Sequence, residues 1–395
     1  MKKLKKQTLS LIICETVMSI SMMFLDTFLV AYFFQLTNQN TTVISIYYII
    51  TYFIVGLTFW LGGDIIKTKN RVKVFQCGMI INCIYILVIG LLGEQCKTFY
   101  YLLGILYGIS QGIYWLAAHT LRSELIPFED TKKYISTNEI ISQIIKIVFP
   151  IVIGTSIELT SFTQVAILVF ILTVFQIIAS TKLAKNTSKI EEFNLLHYLS
   201  NIKKLGKKAQ GVKRCYKIAF FEGFDSSLLS TLITIIIIMA FKTSFNLGTL
   251  TTIFSIFTIV TNMIYRKYYK HKYAKSYIII CTILPIFSVL CLLFDINKTS
   301  VIIYNLMNSI FIKLLSNIKT TERYNCLNID GLENCKVEHQ SMFEIALATG
   351  RVLGYSLLLL VGLLNNIFYF KLLLFISTLT LIPGSINLYK MSKQN

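Results

Sequence analysis

Twelve apolar runs fall into two sets of six around one long basic stretch. An α-helix needs about 20 largely apolar residues to cross the hydrocarbon core of a bilayer. Every backbone N–H and C=O in lipid must also be satisfied within the segment, so runs of this length can fold only as spanning helices. The spans are predicted near 8–34, 43–63, 74–93, 97–119, 138–160, 163–181, 215–241, 247–265, 276–295, 299–317, 341–363 and 366–389. The ninth is expected to be bent or interrupted by Pro285, and the tenth is short and carries Asn305, Asn308 and Lys313. With 55% hydrophobic and 14% charged residues, the 395-residue chain has more apolar surface than a soluble core could hide. The predicted class is all-α integral membrane, with twelve transmembrane helices in two pseudo-symmetric six-helix bundles.

The formal charge of +19 suggests nucleic acid only until its placement is considered. A DNA binder spreads its lysines over a polar surface, whereas here they are confined to short gaps between apolar runs, which excludes nucleic acid as a partner. Thirty-one of the 38 Lys and Arg residues lie in the two terminal tails and in alternate gaps, and only Lys97, Lys242 and Lys298 lie in the others. Because basic loops stay in the cytoplasm, both termini are expected inside, in a plasma membrane of bacterial type. Lys2 to Lys6 resemble the charged region of a signal peptide. The apolar run behind them, however, continues to Phe34 through Glu15 and Asp26 without a small-residue cleavage pattern, so it is read as the first span.

Three domains follow: an N-terminal bundle over 1–181, a cytoplasmic basic linker over 182–214, and a C-terminal bundle over 215–395. Within the linker, Phe193, Leu196, Leu199 and Ile202 recur at helical spacing among Lys203, Lys204, Lys207 and Lys208. That pattern fits an amphipathic helix on the anionic inner membrane face, or a solvated basic linker. The nine cysteines and four histidines show no ligand spacing, so neither a metal nor a disulfide framework is expected. No glycine loop followed by Lys-Ser/Thr is present to bind ATP, no nucleophile and base converge as in an enzyme, and no cofactor is expected.

The chemistry-bearing residues are the charges at depth. A charged side chain at the bilayer centre costs about 2.5–3.5 kcal/mol, so such groups should converge on the protein interior. They are Glu15 and Asp26 on the first span, Glu139 and Lys146 on the fifth, Glu222 and Asp225 on the seventh, Lys313 on the tenth, and Glu344 and Arg351 on the eleventh. The fifth-span pair recurs in the eleventh at an offset of 205 residues, the mark of a duplicated carrier. A buried carboxyl can change protonation when a base approaches or leaves. Asp26 and Glu222 are the leading proton sites, with Lys146 and Arg351 as counter-charges. Glu139 and Glu344 either join that route or simply neutralise Lys146 and Arg351. Tyr114 and Trp115 either line a cavity for apolar or cationic cargo or anchor the helix at the interface. Gly104, Gly108 and Gly112, four apart, are read as a packing face.

The six-plus-six layout, the inside termini, the basic central loop and the stretch from Trp60 to Lys73 (WLGGDIIKTKNRVK) together resemble the major facilitator superfamily over the whole chain. The Asp-Arg-x-Gly-Arg core of that family's loop is missing, but Asp64 with Lys67, Lys69, Arg71 and Lys73 keeps the charge order. The resemblance implies a cytoplasmic gate at Asp64, Lys67 and Arg71, and a central cavity lined by spans one, four, seven and ten with five and eleven beside it. Phe149 to Gly154 is similar to the Gly-Pro motif of the family's proton antiporters without its flanking glycines, and Pro150 should kink the fifth span.

A monomeric secondary carrier is therefore expected, working by alternating access. It would take a small molecule and protons as partners and export drugs, toxins or peptides of amphipathic character. Proton-coupled uptake of a small metabolite and a non-transporting membrane sensor or immunity-type accessory protein are the alternatives.

Overall fold

A computed structural model of the chain describes residues 6–68, 70–125, 128–183, 193–269, 273–325, 332 and 335–392. Among these residues the regular structure is helical, with no strand. Twelve helices among the described residues are long and apolar enough to span a membrane: Gln7–Leu36, Thr42–Leu61, Arg71–Lys97, Tyr100–Arg122, Ile140–Leu159, Phe162–Ser180, Gln210–Phe241, Ser244–Tyr265, Ala274–Phe294, Lys298–Thr320, Val337–Leu364 and Ile367–Ser392. Their ends follow from local chemistry. Asn70, Ser161 and Asn366 each accept a hydrogen bond from backbone N–H groups at the start of spans three, six and twelve. Asn297 and Ser300 close a reciprocal capping box at the start of the tenth.

The departures from α-helical hydrogen bonding do not fall at the prolines. The helices Phe128–Leu159 and Ala274–Phe294 continue through Pro150 and Pro285. The first span instead carries a π-helical segment at Phe24–Leu29 and the tenth one at Asn308–Ile312. Each inserts wide turns that re-aim the side chains around them, and such turns concentrate at functional sites. Asp26 sits in the first and Asn308 in the second. Helix ends also differ from hydropathy: the fourth helix runs on to Leu125, and the fifth begins at Phe128. Arg122, Tyr134 and Asn138 there find a protein partner in Glu15, so the helices outlast the apolar runs.

The chain forms two compact units, one of Met1–Gln39, Ile46–Phe193 and Thr243–Thr252, the other of Asn40–Ser45, Asn194–Lys242 and Ile253–Asn395. In the first unit, span one is tied to span six. Ser10 Oγ donates to the Ala179 carbonyl, and Gln176 Nε2 donates to the Cys14 carbonyl at 2.7 Å. The glycine face of span four meets span two: a Cβ on Gly108 would lie 2.7 Å from the Thr51 carbonyl oxygen, and one on Gly112 would lie 2.6 Å from Thr58 Cβ. Only glycine permits backbones this close.

In the second unit, spans seven and eleven make an equally tight crossing. A Cβ on Gly223 would stand 2.0 Å from the Leu347 carbonyl oxygen, and one on Gly350 would stand 2.0 Å from that of Phe220. Tyr355 bridges the same helices through Thr231 Oγ1 at 2.6 Å and the Ser227 carbonyl at 3.0 Å. Of the stretch expected as linker, Leu195–Leu205 forms a helix capped by Asn194 and stopped by Gly206 at φ +56°. Its buried face is Leu195, Tyr198 and Ile202, while Leu196 is 69% exposed. Tyr198 hydrogen-bonds Tyr216 at 2.6 Å and His339 Nδ1 at 3.0 Å, which fixes the helix on its own unit. Large apolar side chains such as Phe53, Phe175, Phe287 and Leu363 are exposed on the spans, as lipid-facing positions require.

Candidate functional site

Span one brings Glu15 to the wall of a cavity of about 130 Å³ inside the first unit. The carboxylate is 4% exposed and takes three donors. Arg122 Nε lies 2.6 Å from Oε1, and Tyr134 Oη and the Asn138 amide nitrogen both donate to Oε2, the latter at 3.1 Å. Burial, and then the Glu15 charge, hold the Tyr134 phenol above its usual range, so it stays a donor. Arg122 has a second partner, for its guanidinium carbon stands 5.5 Å from the Trp115 ring centroid. Trp115 in turn donates to Gln111 Oε1 at 3.0 Å and edges against Tyr114. Tyr114 is fully buried, stacks on Phe75, and its hydroxyl has no hydrogen-bond partner. Ser142, Ile141, Ile145 and Met18 complete the wall. One acid, one base, an indole and apolar side chains thus surround a space comparable to the roughly 150 Å³ that accepts a benzene ring.

A second, smaller cavity of about 20 Å³ lies in the other unit, with Glu222, Lys319, Thr320 and Phe343 in its wall. Beside it Asp225, 3% exposed, faces Lys319 Nζ at 4.0 Å.

Of the residues singled out in the sequence, Glu15, Tyr114 and Trp115 therefore share the first cavity, and Glu222 and Asp225 flank the second. Asp26 stands apart from both, half-buried on the π-helical segment, and accepts from Tyr107 Oη at 3.3 Å beside the Tyr47–Tyr85 hydroxyl pair. Lys146 is exposed on span five and Arg351 half-buried on span eleven, and neither lines a described cavity. Lys313 is half-buried at the end of the tenth span's π-helical segment. Glu344 accepts from Gln340 at 3.0 Å, while the Glu139 side chain lies outside the described residues. In the predicted gate, Asp64 is exposed on the short helix Gly63–Thr68. Arg71 is buried with its Nε on the Ile66 carbonyl at 3.1 Å, and the Lys67 side chain lies outside the described residues. Among the described residues no group of three or more His, Cys, Asp or Glu could hold a metal ion.

Sequence reasoning missed Arg122, Tyr134, Asn138 and Lys319 as site residues. Arg122 and Lys319 were counted among the inside loops that set topology, although each stands on its helix as the partner of a buried acid. The signal available was their position, within one turn of the predicted ends of spans four and ten.

The family model of the Major Facilitator Superfamily matches residues 11–203. These residues, just under half of the chain, are similar to the Major Facilitator Superfamily. Solved structures of transporters share the chain's fold over its whole length. A bacterial homologue of the iron transporter ferroportin, in its inward-facing state, aligns with TM-score 0.70 and 13% identity over 99% of this chain and 100% of that one. A mutant of the nucleoside transporter NupG aligns with TM-score 0.69 and 14% identity over 98% and 99%. Among curated sequences, the uncharacterized protein YqgE of Bacillus subtilis (strain 168) is 22% identical over 318 residues, covering 78% of this chain and 72% of that protein. These likenesses indicate a multi-pass membrane transporter rather than an enzyme.

Proposed function

We propose that the protein is a secondary carrier that works by alternating access, exports small amphipathic cations from the cytoplasm across the plasma membrane, and is driven by protons. The observation that carries this reading is the Glu15 carboxylate on the cavity wall, with its counter-ion Arg122 shared with the Trp115 ring. A cargo cation can replace Arg122 at Glu15 while the guanidinium keeps its cation–π contact, so the buried acid is never left without a positive partner. Met18, Ile141 and Ile145 suit the apolar body of the same cargo. One observation favours a second reading. The Arg122 guanidinium and Asn138 amide can also grip a carboxylate or an amide, which suits an uptake carrier for a small metabolite.

The test is transport by the purified full chain in proteoliposomes with an acidic lumen, using ethidium as probe. Gradient-driven, uncoupler-sensitive accumulation is expected, and Glu15→Gln should lower its initial rate about tenfold or more, as loss of a charge partner at a binding site does. Absence of ethidium flux in the parent protein would overturn the export reading. Ethidium binding without flux would favour the non-transporting sensor, and accumulation of anionic metabolites with the gradient reversed, the lumen being alkaline, would favour uptake.

A further inference from the structure

We propose that Asp225 and Lys319 form the proton-coupling site, separate from the cargo cavity at Glu15. This assignment rests on the carrier reading above and adds to it the place where the driving ion acts.

Each unit carries the same device: an acid from its first spanning helix faces a base near the end of its fourth. Glu15 on span one meets Arg122 on span four, and Asp225 on span seven meets Lys319 on span ten. Within each unit, however, the two devices are finished differently. Glu15 has a close guanidinium and two further donors, so its negative charge is fully answered. One Asp225 oxygen, Oδ2, is buried without any hydrogen-bond partner, and the lysine nitrogen stands at 4.0 Å from it, beyond hydrogen-bond reach. A buried acceptor left open is costly, and a proton on the carboxyl removes that cost.

The neighbouring cavities differ in the same sense. The one beside Glu15 holds a ring-sized group. The one beside Asp225, at about 20 Å³, holds a single water, since one probe sphere needs about 10–15 Å³. Lys319 and Glu222 both line it, so a water there touches the base and an acid one turn from Asp225, and a proton can pass between solvent and the pair. Nothing larger than water fits, which argues for protons over cargo. The charged groups on the surrounding helices include Lys217 and Glu222 on Asp225's own helix, Lys313, Lys319 and the fully buried Glu322 on the tenth, Glu338, Glu344 and Arg351 on the eleventh, and Lys371 and Lys390 on the twelfth. Only Lys319 is within ion-pair distance of Asp225 among the described residues. The step is a proton transfer: Asp225 takes a proton from solvent, relayed by the cavity water, which regains one from solvent as it gives one up; this releases Lys319 from the pair, and return of the proton to solvent restores it.

Two readouts test this. In proteoliposomes with ethidium, Asp225→Asn should lose at least about tenfold of gradient-driven accumulation while equilibrium exchange of ethidium stays within about twofold of the parent, because coupling and cargo binding are separable. Retained accumulation, or equal loss of exchange and accumulation, overturns the assignment. Infrared titration of the purified protein from about pH 5 to about pH 9 needs no cargo. A protonated-carboxyl band that disappears as pH rises, and that is missing in Asp225→Asn, is expected, and an unchanged band in the variant overturns the assignment. If the parent fails to move ethidium but keeps the Asp225 band, the cargo reading falls and the proton site stands. Should Asp225→Asn lower the yield of folded protein, the double variant Asp225→Asn, Lys319→Gln removes both buried charges and should recover it with the same loss of coupling.

Discussion

Arg122 holds two partners that lie in different directions, and that geometry makes its replacement informative. Lysine keeps the charge but lacks the planar fork, so it can meet Glu15 or lie over Trp115 but not both. Arg122→Lys should retain folding and lose about tenfold in apparent affinity for ethidium, read from concentration-dependent uptake. Arg122→Gln leaves Glu15 buried with only Tyr134 and Asn138, and should cost about 3–5 kcal/mol, seen as a lower unfolding temperature in detergent. The double variant Glu15→Gln, Arg122→Gln should recover most of that loss, and simple additivity of the two changes would show that the pair is not coupled. At this scale the acids were readable because an acid inside an apolar run has no cheap alternative to a buried partner. The partners were not. Tyr134 and Asn138 sit at or before the expected start of span five, and Arg122 looks like any basic loop residue until the helix is seen to continue to Leu125.

Elements were readable to the extent that their apolar face met lipid. All twelve spans coincide with predicted runs, because hydropathy reports what the bilayer demands. The helix Leu195–Leu205 meets protein instead, and there the expected face was off by part of a turn. Leu196 points out at 69% exposure, whereas Tyr198 turns in, because its hydroxyl finds Tyr216 and His339. An aromatic with a polar tip is ambiguous in a periodicity pattern, and the hydrogen bond decides which way it faces. The π-helical segments were invisible for a related reason, since no residue type dictates them. Tyr198→Phe should loosen this helix by only about 1 kcal/mol, because Tyr216 keeps its own 2.8 Å bond to His339. His339→Ala removes the shared partner and should expose the helix to trypsin at Lys203 and Lys204 several-fold faster than in the parent. Equal cleavage rates in all three proteins would show that the tyrosine–histidine cluster does not hold the helix.

Across the whole molecule, duplication and charge asymmetry carry different information. The repeat shows in the fifth and eleventh spans, Glu139 and Lys146 against Glu344 and Arg351, yet the pairs that the units share, Glu15 with Arg122 and Asp225 with Lys319, come from other helices. Loops of unequal length displace the fourth and tenth spans from the common offset, so sequence alone does not align their bases. Arg122 and Lys319 also served as topology signals, and reassigning both to buried pairs still leaves 29 basic residues on the inside stretches against Lys97, Lys242 and Lys298. That excess still predicts both termini inside, because each lysine resists translocation whether or not two others are tied up in ion pairs. Single cysteines at the exposed positions Thr98 and Lys242, introduced after the exposed native Cys77 and Cys291 are replaced, should therefore react with an impermeant maleimide on intact cells. Cysteines at Ser200 and Ser392 should react only after permeabilisation. Labelling of Ser200 on intact cells would invert the topology and overturn the orientation read from the basic residues.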